Sequence, residues 1–335
     1  MVMSQSRTKV ISQYAIMILL TTGLLWLSLR ALNVGGENKG EFIWNTWIKA
    51  NKGYLLLMAA ISIVSHVTRA ERWRMLLVPS GNNVKLSSSF LSLMIGYLVN
   101  LAIPRGGEVS RCYNLFKLEK TPVEISFGTV VVERIVDVIC LLLLIVICFF
   151  VEWEKLKAFI DTLNLGSGSG FKIPTWVIVV FAFILAVIVA GFLLRKNKKL
   201  RKILIGFKEG LLSVFRLKNK SLFILYSVAI WVLYFFMSYC VIKAFPETHE
   251  LGFRAVLTLF AIGSIAMAAP LPGGAGSYHT LVPLGLVMLY NLPPSDAIAF
   301  TFIFHAWQTL IMIVAGVVSF IISYWLIRWK EAKTK

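Results

Sequence analysis

Gly96-Tyr97-Leu98-Val99-Asn100-Leu101-Ala102-Ile103-Pro104-Arg105-Gly106-Gly107-Glu108-Val109-Ser110 recurs as Gly263-Ser264-Ile265-Ala266-Met267-Ala268-Ala269-Pro270-Leu271-Pro272-Gly273-Gly274-Ala275-Gly276-Ser277. The offset is a constant 167, half of the 335 residues. The leading glycine, one alanine, both residues of Gly-Gly and one serine are identical. Each copy is an apolar run broken by Pro and Gly-Gly. Broken apolar segments in corresponding positions of two halves point to a transport site. The plainer reading is two Pro-kinked spanning helices that match by chance, since Gly and Pro are common in membrane helices.

Composition places the chain in lipid. It is 58% hydrophobic, with a mean hydropathy of +0.79, far above the apolar share of a soluble domain. Ile11–Leu29, Thr175–Leu194 and Ser221–Ile242 hold no charged residue and are long enough to span a bilayer. The first exceeds the roughly 7–15 residues of a signal-peptide core and lacks a small-residue cleavage site, so it reads as a retained helix. Cys112, Cys140 and Cys148 with Cys240 form no CxxC pair, which argues against a metal site or a disulfide framework. The net charge of +18 sits in loops rather than on a soluble module, which excludes a nucleic-acid binder.

Spans are expected over about 11–31, 53–70, 122–151, 175–194, 221–242 and 296–327, with the broken segments at 86–118 and 252–290. Basic residues flank alternate ends: Arg7 and Lys9; Arg69, Arg72, Arg74 and Lys85; the stretch 195–220; and Arg328, Lys330, Lys333 and Lys335. The remaining loops, including a mixed-charge loop over 32–52, are near neutral. One topology satisfies the positive-inside rule, with both termini cytoplasmic. Ser88–Ile103 as a helix reaches roughly 24 Å, short of a ~30 Å hydrocarbon core. It therefore reads as one arm of a re-entrant hairpin that turns near Pro104–Gly107. The second hairpin turns near Pro270–Gly276 and enters from the other side, because an odd number of crossings separates the two.

The expected fold is an all-α integral membrane protein, a single polytopic domain over 1–335. It is an inverted repeat of about six spanning helices plus two re-entrant hairpins. Full spanning by both hairpins gives up to ten membrane segments with the same sidedness. The repeat cores are 86–151 and 252–327. Within the cytoplasmic segment 195–220, Leu200, Ile203, Leu204, Phe207, Leu211 and Phe215 recur at helical spacing opposite Lys and Arg. That pattern suits a helix lying on an anionic inner leaflet. Trp153, Leu156, Phe159, Ile160 and Leu163 form a weaker equivalent outside.

Charges inside predicted spans mark function or structural pairing. Glu133, Arg134 and Asp137 lie one to two turns inside the 122–151 span, and either contact a substrate or form a pair with Arg134 between the two carboxylates. His305 and Gln308 occupy the matching place in the last span, Arg134 meeting His305 at an offset of 171. Arg105, Glu108 and Arg111 follow the first turn; Ser277, Tyr278 and His279 follow the second. Gly106, Gly107, Gly273 and Gly274 free backbone N–H groups at half-helix starts, which favour an anion. Arg105 or Arg111 adds charge-assisted hydrogen bonds to a phosphate. In the alternative reading Arg105 and Glu108 pair with each other and the glycines serve close packing.

Several passages together resemble the transmembrane region of the lysylphosphatidylglycerol synthase family, including its stand-alone members. They are Arg72-Trp73-Arg74, the Gly96…Pro104-Arg105-Gly106-Gly107-Glu108…Arg111 hairpin, Glu133-Arg134-Ile135-Val136-Asp137, and Pro270-Leu271-Pro272-Gly273-Gly274-Ala275-Gly276. The chain departs from the family in carrying His279 where a glutamate is usual. In full-length synthases the membrane part is thought to move the lipid between leaflets, and a soluble C-terminal domain attaches the amino acid. The resemblance implies the translocating half without the enzyme, and a bacterial-type inner (plasma) membrane.

The expected activity is a lipid translocator, a flippase or facilitator for a phospholipid or other anionic or amphipathic lipid. Its substrate-binding residues are expected to be Arg105, Gly106, Gly107, Glu108, Arg111, Glu133, Arg134, Asp137, Pro272, Gly273, Gly274, Gly276, His279 and His305. No GxxxxGK[ST] loop is present, so ATP is not the expected drive. No cofactor or metal is expected. The partners are membrane lipids and not nucleic acid, with homo-oligomerisation left open. The alternative is an integral-membrane enzyme acting on a lipid head group, although the chain has no HExxH and no evident nucleophile–base spacing.

Overall fold

The computed structural model describes residues 22–32, 34–154, 198–269 and 271–333, with Leu19 and Lys157. Among these the regular structure is helical and includes no strand. A helical segment over 22–31 is followed by α1 (Lys39–Lys49), α2 (Lys52–Leu77), α3 (Leu86–Ala102), α4 (Gly106–Glu119) and α5 (Val123–Val151). Then come α6 (Lys198–Leu212), α7 (Lys220–Ala244), α8 (Phe253–Ala268), α9 (Ser277–Tyr290) and α10 (Pro294–Lys333). Four of the described helices are long and apolar enough to cross a membrane: Lys52–Ser80, Val123–Val151, Lys220–Ala244 and Pro294–Ala332. They coincide with four expected spans. The expected span 175–194, the start of that at 11–31 and most of the outer stretch 153–163 lie outside the described residues.

Both broken segments are helix–turn–helix units, α3–α4 and α8–α9, split at the Pro/Gly-Gly sequences. In the first turn Arg105 takes a left-handed backbone (φ 63°). In the second, Gly273, Gly274 and Gly276 do so, with φ of 57°, 73° and 92°. Gly96 and Gly107 bring the first pair of arms together: a Cβ on Gly107 would lie 2.0 Å from the Gly96 carbonyl oxygen.

Two elements differ from expectation. The 32–52 loop contains α1, capped by Asn38, whose side chain accepts from Gly40 N at 2.8 Å. Trp47 packs inward while Trp44 is exposed, a two-sided pattern hidden by the mixed charge. The helix expected to stop near residue 70 continues as α2 to Leu77. Arg69 and Arg72 are not loop residues; both are buried, because carboxylates on α5 meet them inside the bundle.

α2 packs most extensively on α7. α10 packs on α3, and α5 on α8. The largest apolar core joins α2, α7, α8, α9 and α10 through residues such as Met58, Val241, Val256, Leu286 and Phe300. α6 follows the expected amphipathic stretch and packs on the start of α5. There a Cβ on Gly210 would lie 2.3 Å from the Ile125 carbonyl oxygen.

Candidate functional site

A cavity of about 500 Å³ lies between the two turns, within the size range of ligand sites. Its polar lining includes His66 and Arg69 from α2, Tyr97 and Asn100 from α3, Arg105 and Glu108 at the first turn, and Arg134 and Asp137 from α5. Its apolar and aromatic lining includes Met237, Trp231, Phe260, Val282, Phe300 and Phe304. Gly273 and Gly274 of the second turn and His305 of α10 also line it. Arg105 and Val138 are exposed as well, so the cavity reaches the outer surface. The two turns meet here: a Cβ on Gly273 would lie 3.1 Å from Leu101 Cδ2.

Behind the polar lining runs a buried ion-pair network. Arg69 Nη2 contacts Asp137 Oδ2 at 2.5 Å, and Arg72 Nη2 contacts Asp137 Oδ1 at 2.7 Å. Arg72 is also 3.5 Å from Glu133 Oε1, and Arg111 Nη2 is 2.7 Å from Glu133 Oε2. Arg111 stacks its guanidinium over Trp73, 4.7 Å from the ring centroid; the Trp73 indole N–H donates to Thr129 Oγ1 at 2.9 Å. Arg69 Nη1 donates to Tyr234 Oη at 3.0 Å. Three helices are thereby tied by charges that would be costly if unpaired in apolar surroundings. Charged pairs this deep hold geometry, since separating them strands a charge.

The expected site residues divide. Arg105, Glu108, Arg134, Asp137, Gly273, Gly274 and His305 line the cavity. Arg111 and Glu133 lie behind the wall, paired with each other. Arg134 does not sit between Glu133 and Asp137: its Nη2 donates to Glu108 Oε1 at 2.7 Å. Successive residues on a helix point about 100° apart, so Glu133 and Arg134 face different neighbours. That bond also replaces the Arg105–Glu108 pair considered from sequence.

The backbone donors of the turns are spent internally rather than left open. Gly106 N donates to Ile103 O at 2.9 Å, and Gly107 N to Asn100 Oδ1 at 2.7 Å. Gly274 N donates to Leu271 O at 3.1 Å, and Gly276 N to His279 Nδ1 at 3.4 Å. Pro272, Gly276 and His279 stand outside the cavity lining. Gly276 packs beside Leu24 of the N-terminal segment, and Ser28 Oγ donates to the His279 carbonyl at 2.9 Å. His305 Nε2 donates to the Gly273 carbonyl at 3.0 Å and so fastens α10 to the second turn. Its ring is 4.7 Å from that of His279.

Sequence reasoning missed Arg69, Arg72, His66, Tyr97 and Trp231. The signal for the first three was available. Ser62, Ser65, His66, Arg69 and Arg72 recur at spacings of three and four, a polar stripe facing inward along α2. Two carboxylates one turn apart on the neighbouring span, Glu133 and Asp137, required cations. Tyr97 and Trp231 gave no such signal, because aromatic residues in apolar helices are ordinary.

A helical membrane protein with an amphipathic cavity between two broken helix pairs is the class that fold and site define. The chain belongs to the family of the lysylphosphatidylglycerol synthase transmembrane region, whose model matches residues 14–316. It is similar to the UPF0104 membrane protein MJ1595 of Methanocaldococcus jannaschii, 25% identical across 82% of this chain and 86% of that protein. It is also similar to the UPF0104 membrane protein MJ1078 of the same organism, 25% identical across 67% of this chain and 93% of that protein. No solved structure matches the chain.

Proposed function

We propose that this protein moves a phospholipid, or another anionic or amphipathic lipid, between the leaflets of the plasma (inner) membrane without changing it chemically. The observation that carries this reading is a cavity lined both by guanidinium groups and by aromatic and aliphatic side chains. A lipid has the same two-part chemistry. The family's membrane-embedded, lipid-related character supports it.

The mechanism is alternating exposure of the cavity across an inverted repeat. The packing pattern supports such a repeat: α2–α5 and α7–α10 correspond in order. α2 packs on its counterpart α7, while α3 packs on α10 as α8 packs on α5. That reciprocity is what a two-fold relation between halves produces. The arms α3, α4, α8 and α9 have 17, 14, 16 and 14 residues. At 1.5 Å per residue each is shorter than a ~30 Å core, which supports re-entrant hairpins that meet at mid-depth. Arg105 and Arg134 attract the head group, and Gly273 and Gly274 allow the second turn to approach it.

The test is purified protein in liposomes carrying a fluorescent anionic phospholipid. Relocation of chemically intact lipid supports a translocator. A new lipid species in the extract would mean an enzyme, and neither change would refute the proposal.

A further inference from the structure

We infer that the polar lining of the cavity is built for a lipid whose head group ends in a phosphate monoester, a doubly charged anion, rather than for a singly charged phosphodiester. This rests on the lipid reading above and narrows it. Arg69, Arg72, Arg111 and Arg134 are engaged with Glu108, Glu133 and Asp137. Arg105, on the cavity wall, has no side-chain partner among the described residues. Five guanidiniums thus face three carboxylates, an excess of two positive charges. The two charges in excess belong to Arg105, which is exposed, and Arg134, 40% exposed, so both are open to an anionic ligand.

Tyr97 Oη and the Nε atoms of Arg69 and Arg134 are buried at the wall without a hydrogen-bond partner. Together with the free guanidinium of Arg105 they are donors in search of acceptors. Glu108 Oε2 is the one wall carboxylate oxygen in the same condition. A phosphate monoester brings close to two negative charges at neutral pH and three acceptor oxygens. A diester brings one charge and two terminal oxygens. Arg105 also holds a left-handed backbone (φ 63°), a conformation that glycine or asparagine adopts more easily. At the offset of 167 the second turn has Pro272 in that place, and its own left-handed residues are Gly273, Gly274 and Gly276.

The experiment measures affinities of the full-length protein in detergent for phosphatidic acid, phosphatidylglycerol with the same chains, and inorganic phosphate. At pH 8 phosphatidic acid should bind about tenfold tighter than phosphatidylglycerol, as a second charge-assisted contact allows. At pH 5, below the second phosphate pKa of about 6, the ratio should fall towards one. Arg105→Asn, which suits the backbone, should lose most of the preference, and Arg105→Lys should keep it. Equal affinity for the two lipids at pH 8 would overturn the monoester assignment and leave the lipid reading standing. Inorganic phosphate binding as tightly as phosphatidic acid would overturn the assignment to a lipid head group. Binding of neither lipid would overturn both.

Discussion

Glu133 and Arg111 meet at 2.7 Å with neither side chain more than 3% exposed, so the longest uncharged stretch of α5 is anchored to the first hairpin by a buried charge. Glu133→Gln leaves Arg111 and Arg72 short of a counter-charge. It should destabilise the protein by about 3–5 kcal/mol, the cost of stranding one partner of a buried pair. Equilibrium unfolding in detergent measures it. Removing Arg111 as well should cost less than the two single changes together, by roughly 0.5–3 kcal/mol of coupling.

Arg134 and Glu108 form a different kind of pair. Their bond is 2.7 Å, but the Arg134 side chain is 40% exposed. Such a pair contributes about 0–1 kcal/mol, so Arg134→Gln should leave unfolding nearly unchanged. Lipid movement in liposomes should nevertheless fall sharply, because this group lines the cavity. Loss of both stability and movement would assign Arg134 to the scaffold.

Gly107 tests the hairpin. A methyl group there meets the Gly96 carbonyl oxygen at 2.0 Å and the Asn100 side chain at 2.6 Å. Gly107→Ala must force α3 and α4 apart and should cost about 1–3 kcal/mol, the range for overpacking. Gly23→Ala, with nothing within 4 Å of the added carbon, is the matched control and should be neutral. Thermal midpoints of the two purified variants decide it.

His305 tests the second turn. Its ring N–H is spent on the Gly273 carbonyl at 3.0 Å. His305→Ala removes that bond and should cost about 1 kcal/mol while increasing protease or hydrogen-exchange sensitivity around 271–276. His305→Gln, which supplies an N–H of similar reach, should restore protection. Unchanged exchange in the alanine variant would show that this bond does not hold the turn.

Much of the architecture was legible because its signals are covalent or periodic. Proline next to Gly-Gly interrupts an apolar run, so both hairpin turns could be placed from sequence, although Pro283 is carried inside α9. The long apolar runs placed α5 and α7 to within two residues, whereas α10 runs six residues past its expected end. Pairings were not legible. Glu108, Arg134, Glu133 and Arg111 are all charged and close in sequence, and which cation meets which anion depends on how α4 is rotated against α5. The Gly96–Gly107 contact seats α4 on α3 and not on α5, so neither it nor any periodicity announces that rotation. The role of α2 was obscured for another reason. Its arginines were read as loop charges under the positive-inside rule, whereas the carboxylates of α5 make them interior. The glycine donors failed for a third reason: short turns satisfy their own N–H groups when a carbonyl or an asparagine side chain is within reach.

The central claim is that a membrane lipid occupies the cavity between the two turns. The most direct measurement is a high-resolution map of the protein in nanodiscs containing anionic phospholipid. The expected result is head-group density within hydrogen-bonding distance of Arg105 or Arg134, with chain density running past Trp231 and Phe260. Lipid density confined to the outer faces of α5 and α10, with only water between the turns, would contradict it.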